Sequence, residues 1–168
     1  YHKKIYLMLP KNNKLVKNTA ELKALCSGYT NQNKKIVLTN GCFDILHSGH
    51  TYILEESKKL GDVLIVALNS DISIKNIKQK DRPIIGEQDR AYILSCLTSV
   101  DHIIIFNEET PEKLICEIIP DILVKGTDYR NKKIAGEECM KENNKKIILI
   151  DLLESKSTSS IINKISGT

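Results

Sequence analysis

The sequence predicts a doubly wound α/β domain, a five-stranded and mainly parallel sheet with helices on both faces. Three observations predict it. Short runs rich in Ile, Leu and Val at residues 36–38, 63–68, 102–106, 122–124 and 147–150 are too short for typical helices and read as buried parallel strands. Between them lie stretches whose apolar residues recur at helical spacing, so strand and helix alternate along the chain with right-handed crossovers. Polar residues, often with a glycine, follow the strands, where open parallel sheets present their binding groups.

The elements can be taken in order. Residues 1–17 show no sustained periodicity, and Pro10-Lys11-Asn12-Asn13 reads as loop, so this basic N-terminal segment is expected to be loose and residues 18–168 to form a single domain. Asn18 and Thr19 are capping residues for a short amphipathic helix carrying Ala20, Leu22, Leu25 and Cys26 and ending at Gly28. The first strand, 36–38, runs into Thr39-Asn40-Gly41-Cys42-Phe43-Asp44-Ile45-Leu46-His47-Ser48-Gly49-His50. After it, Tyr52, Ile53, Leu54 and Leu60 recur at helical spacing before Gly61. The dozen residues therefore form a strand-to-helix turn, with Gly41 allowing a tight bend and Ser48-Gly49 available to cap the helix. A helix beginning there points free N–H groups and the positive end of its dipole into the crevice above the strand, which suits a polyphosphate. His47 and His50 share one face of its first turn. Zinc ligation and an ordinary capping or core histidine are the competing readings, both set below phosphate binding; for zinc, neither an HExxH glutamate nor a nearby Cys or His pair completes a tetrahedral set. Asp44 either caps the turn or positions substrate or a metal, and both readings stay open.

The second strand, 63–68, ends in Asn69-Ser70-Asp71, which serves as binding group or as cap for the next segment. Residues 72–82 carry Lys75, Lys78, Lys80 and Arg82 before Pro83, and read as a mobile cationic loop able to screen charge beside a phosphate site, or as solvated surface. Glu87 opens a helix with Arg90 in its first turn and Ala91, Ile93, Leu94 and Leu97 as its packed face. Strand 102–106 follows. Thr110-Pro111-Glu112 then marks a helix start with Thr110 as cap, its face built from Leu114, Ile115, Ile118 and Ile119. Strand 122–124 leads into Lys125-Gly126-Thr127-Asp128-Tyr129. A short helix over 136–141 precedes strand 147–150. Last, Ser157-Thr158-Ser159-Ser160 opens a helix with Ile161, Ile162 and Ile165, offering hydroxyl and backbone donors to a nucleotide or simply capping the helix.

Composition narrows the classes of function. The chain has 168 residues, 41% of them apolar, enough for one domain with a sizeable core. No apolar run approaches the ~20 residues of a membrane span, and no secretory h-region is present. A soluble, unexported, cytoplasmic protein with no membrane partner is expected. Cys26, Cys42, Cys96, Cys116 and Cys139 are odd in number, widely spaced and lack a CxxC pair, so they read as reduced thiols, with Cys42 a packing residue. The net charge of +4 is concentrated in residues 1–35, with eight lysines against the single acid Glu21. That stretch lacks Arg and regular aromatic interleaving, so a solvated face is favoured over a nucleic-acid partner. Neither a GxGxxG nor a Walker A sequence is present, against an ordinary dinucleotide site or a P-loop kinase.

The run from Gly41 to His50 resembles the signature G-x-F-D-x-x-H-x-G-H of the cytidylyltransferase-like nucleotidyltransferase superfamily. Asn69-Ser70-Asp71, Arg82-Pro83, Asp89-Arg90, Thr110-Pro111-Glu112, Val124-Lys125-Gly126 with Asp128-Tyr129, and Ser157-Thr158 match one branch of it. That branch is the D-glycero-β-D-manno-heptose 1-phosphate adenylyltransferases of lipopolysaccharide precursor synthesis, and the likeness spans residues 15–165. The resemblance implies a Rossmann-like nucleotidyltransferase fold and an enzyme joining ATP and a sugar 1-phosphate into ADP-sugar and pyrophosphate, with Mg²⁺ accompanying ATP. It implies that His47 and His50 bind the triphosphate, with Lys75 a third catalytic candidate. Asn40, Gly41, Cys42 and Phe43 approach the phosphates, the backbone around Phe43 meeting the α-phosphate. Lys125, Gly126, Asp128, Tyr129, Ser157, Thr158 and Ser159 hold the nucleotide. Asp44, Asn69, Asp71, Lys78 and Arg82 are candidates for the sugar phosphate; no protein metal ligands are expected. Family members often dimerise.

Two departures bear on the branch. Many cytidylyltransferases show I-S-S-T-x-x-R at the last helix start, whereas this chain has Asn163 in place of the Arg, which fits the heptose branch better. Many heptose enzymes carry a fused sugar kinase domain; 168 residues leave no room for one, so a separate kinase and a phosphatase are expected upstream. Glycerol 3-phosphate cytidylyltransferase and a non-catalytic nucleotide-binding module are the alternatives.

Overall fold

The computed structural model describes residues 13–78, 81–153 and 156–167. Strands β1 (Leu15–Val16), β2 (Ile36–Gly41), β3 (Val63–Asn69), β4 (His102–Phe106), β5 (Ile122–Gly126) and β6 (Lys146–Ile150) form one sheet in the order β1-β4-β3-β2-β5-β6. All pairings are parallel, and the sheet has six strands rather than the expected five. The additional strand comes from the N-terminal segment: Leu15 pairs with Ile103 and Val16 with Ile104. Two residues bear no readable period, and only the open edge of β4 makes them a strand. Pro10, Lys11, Asn12 and Lys80 lie outside the described residues.

The helices are α1 (Thr19–Asn31), α2 (Ser48–Lys58), α3 (Asp71–Ile77), α4 (Glu87–Ser95), α5 (Glu112–Ile118), α6 (Glu137–Glu142) and α7 (Thr158–Ser166). Because strand side chains alternate, each central strand feeds two cores. Ile36, Leu38, Val63, Ile65 and Ala67 meet Leu22 and Cys26 of α1, Leu114 and Ile115 of α5 and Met140 of α6. Val37, Leu64, Val66 and Leu68 meet Leu54 of α2 and Ala91 and Leu94 of α4. The near-continuous apolar runs follow from burial on both faces.

Local differences from the sequence expectations have identifiable causes. Helix α1 passes through Gly28, where a side chain would meet open space, and ends at the Gln32 cap. Residues 71–77 are a helix capped by Ser70, whose hydroxyl accepts the Ser73 N–H, rather than the start of a loose loop. Helix α5 has Pro111 as its N-cap with no side-chain cap bond, which leaves Thr110 free for another role. Cys116 of α5 and Cys139 of α6 are joined as a disulfide, a correction to the reading of all five as thiols; 23 residues of sequence separate them, so only the packing of α5 on α6 reveals the pair.

β2 continues through β3 to β4 on one side, and the chain then crosses to β5 and β6 on the other. The order reverses between β2 and β5, which is where open α/β sheets hold ligands.

Gly136, φ +82°, leads into α6, and a Cβ there would stand 2.5 Å from Ile115 Cγ2. Gly136→Ala combines a disfavoured left-handed backbone with overpacking and is expected to destabilise the fold by about 2–4 kcal/mol. Urea unfolding of the variant against the parent protein measures it.

Candidate active site

At the β2/β5 switch point lies a cleft of about 550 Å³. One wall is the turn after β2. Phe43 (φ +47°) and Ile45 (φ +51°) adopt left-handed backbone. The turn is tied from behind at several points. Asp44 is buried, and its carboxylate accepts Arg82 Nε–H at 2.7 Å and the N–H groups of Ile84 and Ile85 at 3.0 and 2.9 Å. Burial by itself raises the Asp44 pKa, but those donors outweigh it and hold the carboxyl below its ordinary range. The Asp44 carbonyl accepts Thr158 Oγ1–H at 2.6 Å, and the Cys42 carbonyl accepts Arg90 Nη1–H at 2.6 Å. Among the described residues, no acceptor meets the N–H groups of Phe43, Asp44 or Ile45.

Helix α2 starts at this turn, and His47 rather than Ser48 caps it: His47 Nδ1 accepts the Gly49 N–H at 3.1 Å. The proton of the neutral ring therefore sits on Nε2. The His50 ring stacks on it, centroids 3.8 Å apart and planes at 22°, and the Phe43 ring lies tilted against His50 with centroids 5.2 Å apart. Burial first, and then the neighbouring His47, push the His50 pKa down to about 4, and burial and Lys156 lower that of His47. His50 Nδ1 is buried without a hydrogen-bond partner among the described residues. Gly49 permits the approach of Lys156, whose Cβ would lie 3.1 Å from a Cβ at that position.

Across the cleft, Lys125 leaves the end of β5, 4% exposed. Its ammonium donates to Asn40 Oδ1 and lies 4.7 Å from the Tyr129 ring centroid. Burial, only partly offset by Asp128, lowers its pKa to about 8. Cys42 also borders the cleft; burial raises its thiol pKa against the pull of Lys78, Arg90 and Arg82, which suits packing better than nucleophilic attack.

The cleft gathers Asn40, Gly41, Cys42, Phe43, Asp44, His47, His50, Asn69, Lys78, Arg82, Lys125, Gly126, Asp128, Tyr129, Ser157, Thr158 and Ser159. Two candidates do not join them. Lys75 lies on the exposed side of α3, and Asp71 spends its carboxylate on Arg90 Nη2 at 2.7 Å. Asn69 borders the cleft but gives its amide to Ser73 Oγ at 2.9 Å. Ser157 is committed to a capping box with Ser160. Sequence reasoning missed Thr110, Pro111, Lys133, Ala135, Leu152, Leu153 and Lys156 in the wall. Lys156 stands beside a helix start, and Thr110-Pro111 reads as a helix start and a match to the branch without a site role; Lys133, Ala135, Leu152 and Leu153 carry no signal, because loop residues reach a site only through the fold.

Among the described residues, no three His, Cys, Asp or Glu side chains converge as a metal cage. Nor is any helix there long and apolar enough to cross a membrane.

A family model described as cytidylyltransferase-like matches residues 38–168, from the middle of β2 through the whole cleft. The chain belongs to this cytidylyltransferase-like family. Bifunctional protein HldE of Helicobacter pylori strain J99 is 51% identical over 147 residues, 88% of this chain and 31% of that protein. HldE of a Nitratiruptor species is 48% identical over 149 residues, 89% of this chain and 31% of its own length. The chain thus spans about a third of the curated relatives it matches. Among solved structures, the lipopolysaccharide core biosynthesis protein of Thermoplasma volcanium superposes with TM-score 0.59 at 32% identity, covering 73% of this chain and 99% of that one. Pantoate-beta-alanine ligase of Francisella tularensis, TM-score 0.61 at 20% identity over 92% of this chain and 78% of that one, shares the fold. The Rossmann-like architecture and the family likeness read from residues 41–50 are borne out.

An anion in the cleft needs the charged form of Lys125, which is lost as pH rises through about 8. Nucleotide affinity is therefore expected to fall about tenfold at one pH unit above that value, and to lose this slope in Lys125→Met. Calorimetric titration of ATP between pH 7 and 9 measures both.

Proposed function

We propose that this chain transfers AMP from ATP to D-glycero-β-D-manno-heptose 1-phosphate, giving ADP-heptose and pyrophosphate. One observation carries the reading: the stacked His47 and His50 at the start of α2, beside a turn whose Phe43, Asp44 and Ile45 amides meet no acceptor among the described residues, face a buried lysine across the switch-point cleft. Asp128 and Glu109 also line the cleft, but among the described residues neither is in a salt bridge with Lys125 or the two histidines, which leaves these donors for a polyphosphate. The choice of heptose rests on the likeness to HldE and to the lipopolysaccharide core biosynthesis protein.

In this reading a phosphate oxygen of the sugar 1-phosphate attacks the α-phosphorus of ATP in line. The bond from that phosphorus to the α–β bridging oxygen breaks, and its electron pair leaves with pyrophosphate. The attacking phosphate is already anionic, so no proton has to be removed. The chain contributes alignment and charge neutralisation: the turn amides and Lys125 at the α-phosphate, His47 Nε2–H and His50 on the departing phosphates, and Lys78 and Arg82 toward the acceptor. Thr158 and the last helix start lie beside the nucleotide. Mg²⁺ accompanies the phosphates of ATP in this reading, and no protein side chain is assigned to it. A heptose kinase and a phosphatase act earlier to make the 1-phosphate, and the site of action is the cytoplasm.

The test is pyrophosphate release from ATP or CTP against heptose 1-phosphate, other sugar 1-phosphates and glycerol 3-phosphate. ATP with heptose 1-phosphate is expected to be turned over fastest. CTP with glycerol 3-phosphate, or nucleotide binding with no release for any acceptor, overturns the proposal. Loss of one oxyanion donor slows turnover by about 10²- to 10³-fold, so His50→Ala is expected to lose that much kcat; full activity there removes the role given to His50.

A further inference from the structure

Arg90 does not line the cleft, yet it is the largest fully buried side chain among the described residues, 1% exposed, on a helix otherwise packed with Ala91 and Leu94. Its guanidinium is bonded on several sides. Nε–H donates to the Ile85 carbonyl at 2.8 Å, Nη1 to the Cys42 and Asn69 carbonyls at 2.6 and 2.8 Å, and Nη2 to Asp71 Oδ1 at 2.7 Å. One side chain thus joins the turn after β2, the end of β3, the first residue of α3 and the loop before α4.

The bond to Cys42 has a directional consequence. The Cys42 carbonyl and the Phe43 N–H belong to one planar trans peptide unit and point in opposite directions. Drawing the carbonyl inward to Arg90 turns the Phe43 N–H outward, where it has no acceptor among the described residues. Thr158 acts in the same way further along the turn, taking the Asp44 carbonyl and turning out the Ile45 N–H.

We infer that Arg90 is a positioning residue for the nucleotide's phosphates: it sets the orientation of the amide-bearing turn without touching the ligand. This rests on the proposed function only in taking the cleft as a nucleotide triphosphate site. A lysine places a single point charge where Arg has a planar fork of donors, so it holds some of these acceptors and not all. Glutamine at this position holds fewer still.

The experiment compares the affinities of ATP and adenosine by calorimetry in the parent protein, Arg90→Lys, Arg90→Gln and Val100→Ala. Val100 is buried in the same apolar core and serves as a control for general destabilisation. A charge-assisted hydrogen bond to phosphate is worth about 10- to 100-fold in affinity. The ratio of ATP to adenosine affinity is therefore expected to fall by that much in Arg90→Gln and by less in Arg90→Lys, with adenosine affinity kept, and to stay constant in Val100→Ala. Should Arg90→Gln not fold, Arg90→Lys carries the comparison. An unchanged ratio in a folded Arg90 variant overturns the inference, as does an equal fall in Val100→Ala. A parent protein that binds adenosine as tightly as ATP overturns both the inference and the phosphate site. A parent that prefers ATP but releases no pyrophosphate overturns the proposed reaction alone.

Discussion

A peptide unit points its carbonyl and its amide in opposite directions, so a turn can offer amides to an anion only where other groups take up its carbonyls. In this chain those groups come from far along the sequence. Arg90 takes the Cys42 carbonyl and Thr158 takes that of Asp44, while the Asp44 carboxylate is held by Arg82, Ile84 and Ile85. The signature turn is therefore a product of α4, the loop before it and the last helix acting together. Its two left-handed residues, Phe43 and Ile45, are non-glycine positions whose strain is tolerable because these contacts over-determine them.

The electrostatics of the cleft follow from the same burial that shapes it. Lys125 is desolvated without a salt-bridge partner among the described residues, and its pKa falls to about 8. His50, stacked on His47 and buried, remains neutral down to about pH 4. Two imidazolium rings at 3.8 Å would repel one another, so stacking and neutrality go together. Below the ordinary histidine pKa of 6.5 the unfolded chain binds the proton that folded His50 refuses, so this residue lowers stability as pH falls from there toward 4. These are costs to the empty protein that a bound polyanion offsets, since it favours the charged lysine.

The sheet shows why some features were legible and others were not. Its central strands are apolar on both faces, and runs such as residues 63–68 declare that directly. β1 does not, because an edge strand of two residues depends on the partner offered by β4. The Cys116–Cys139 disulfide was hidden for a related reason: sequence separation says nothing of how α5 and α6 pack. Arg90 did leave a trace, a charge on the apolar face shared with Leu94 and Leu97, but a single charge on a helix face does not say what it bonds.

By itself, the sequence determined the alternation of strand and helix, the parallel sheet, the turn at residues 41–50 with its paired histidines, and the family they belong to. It could do so because burial period, capping chemistry and motif spacing are local properties. The tertiary structure decided which polar residues are free and which are spent: Asp71 on Arg90, Asn69 on Ser73, Ser157 on its own helix, Lys75 turned to solvent. It also brought Lys125 and Asn40 together, 85 residues apart, across adjacent strands at the reversal of the sheet. A hydrogen bond needs its partner within about 3 Å, and only the folded chain sets distances of that kind between residues remote in sequence.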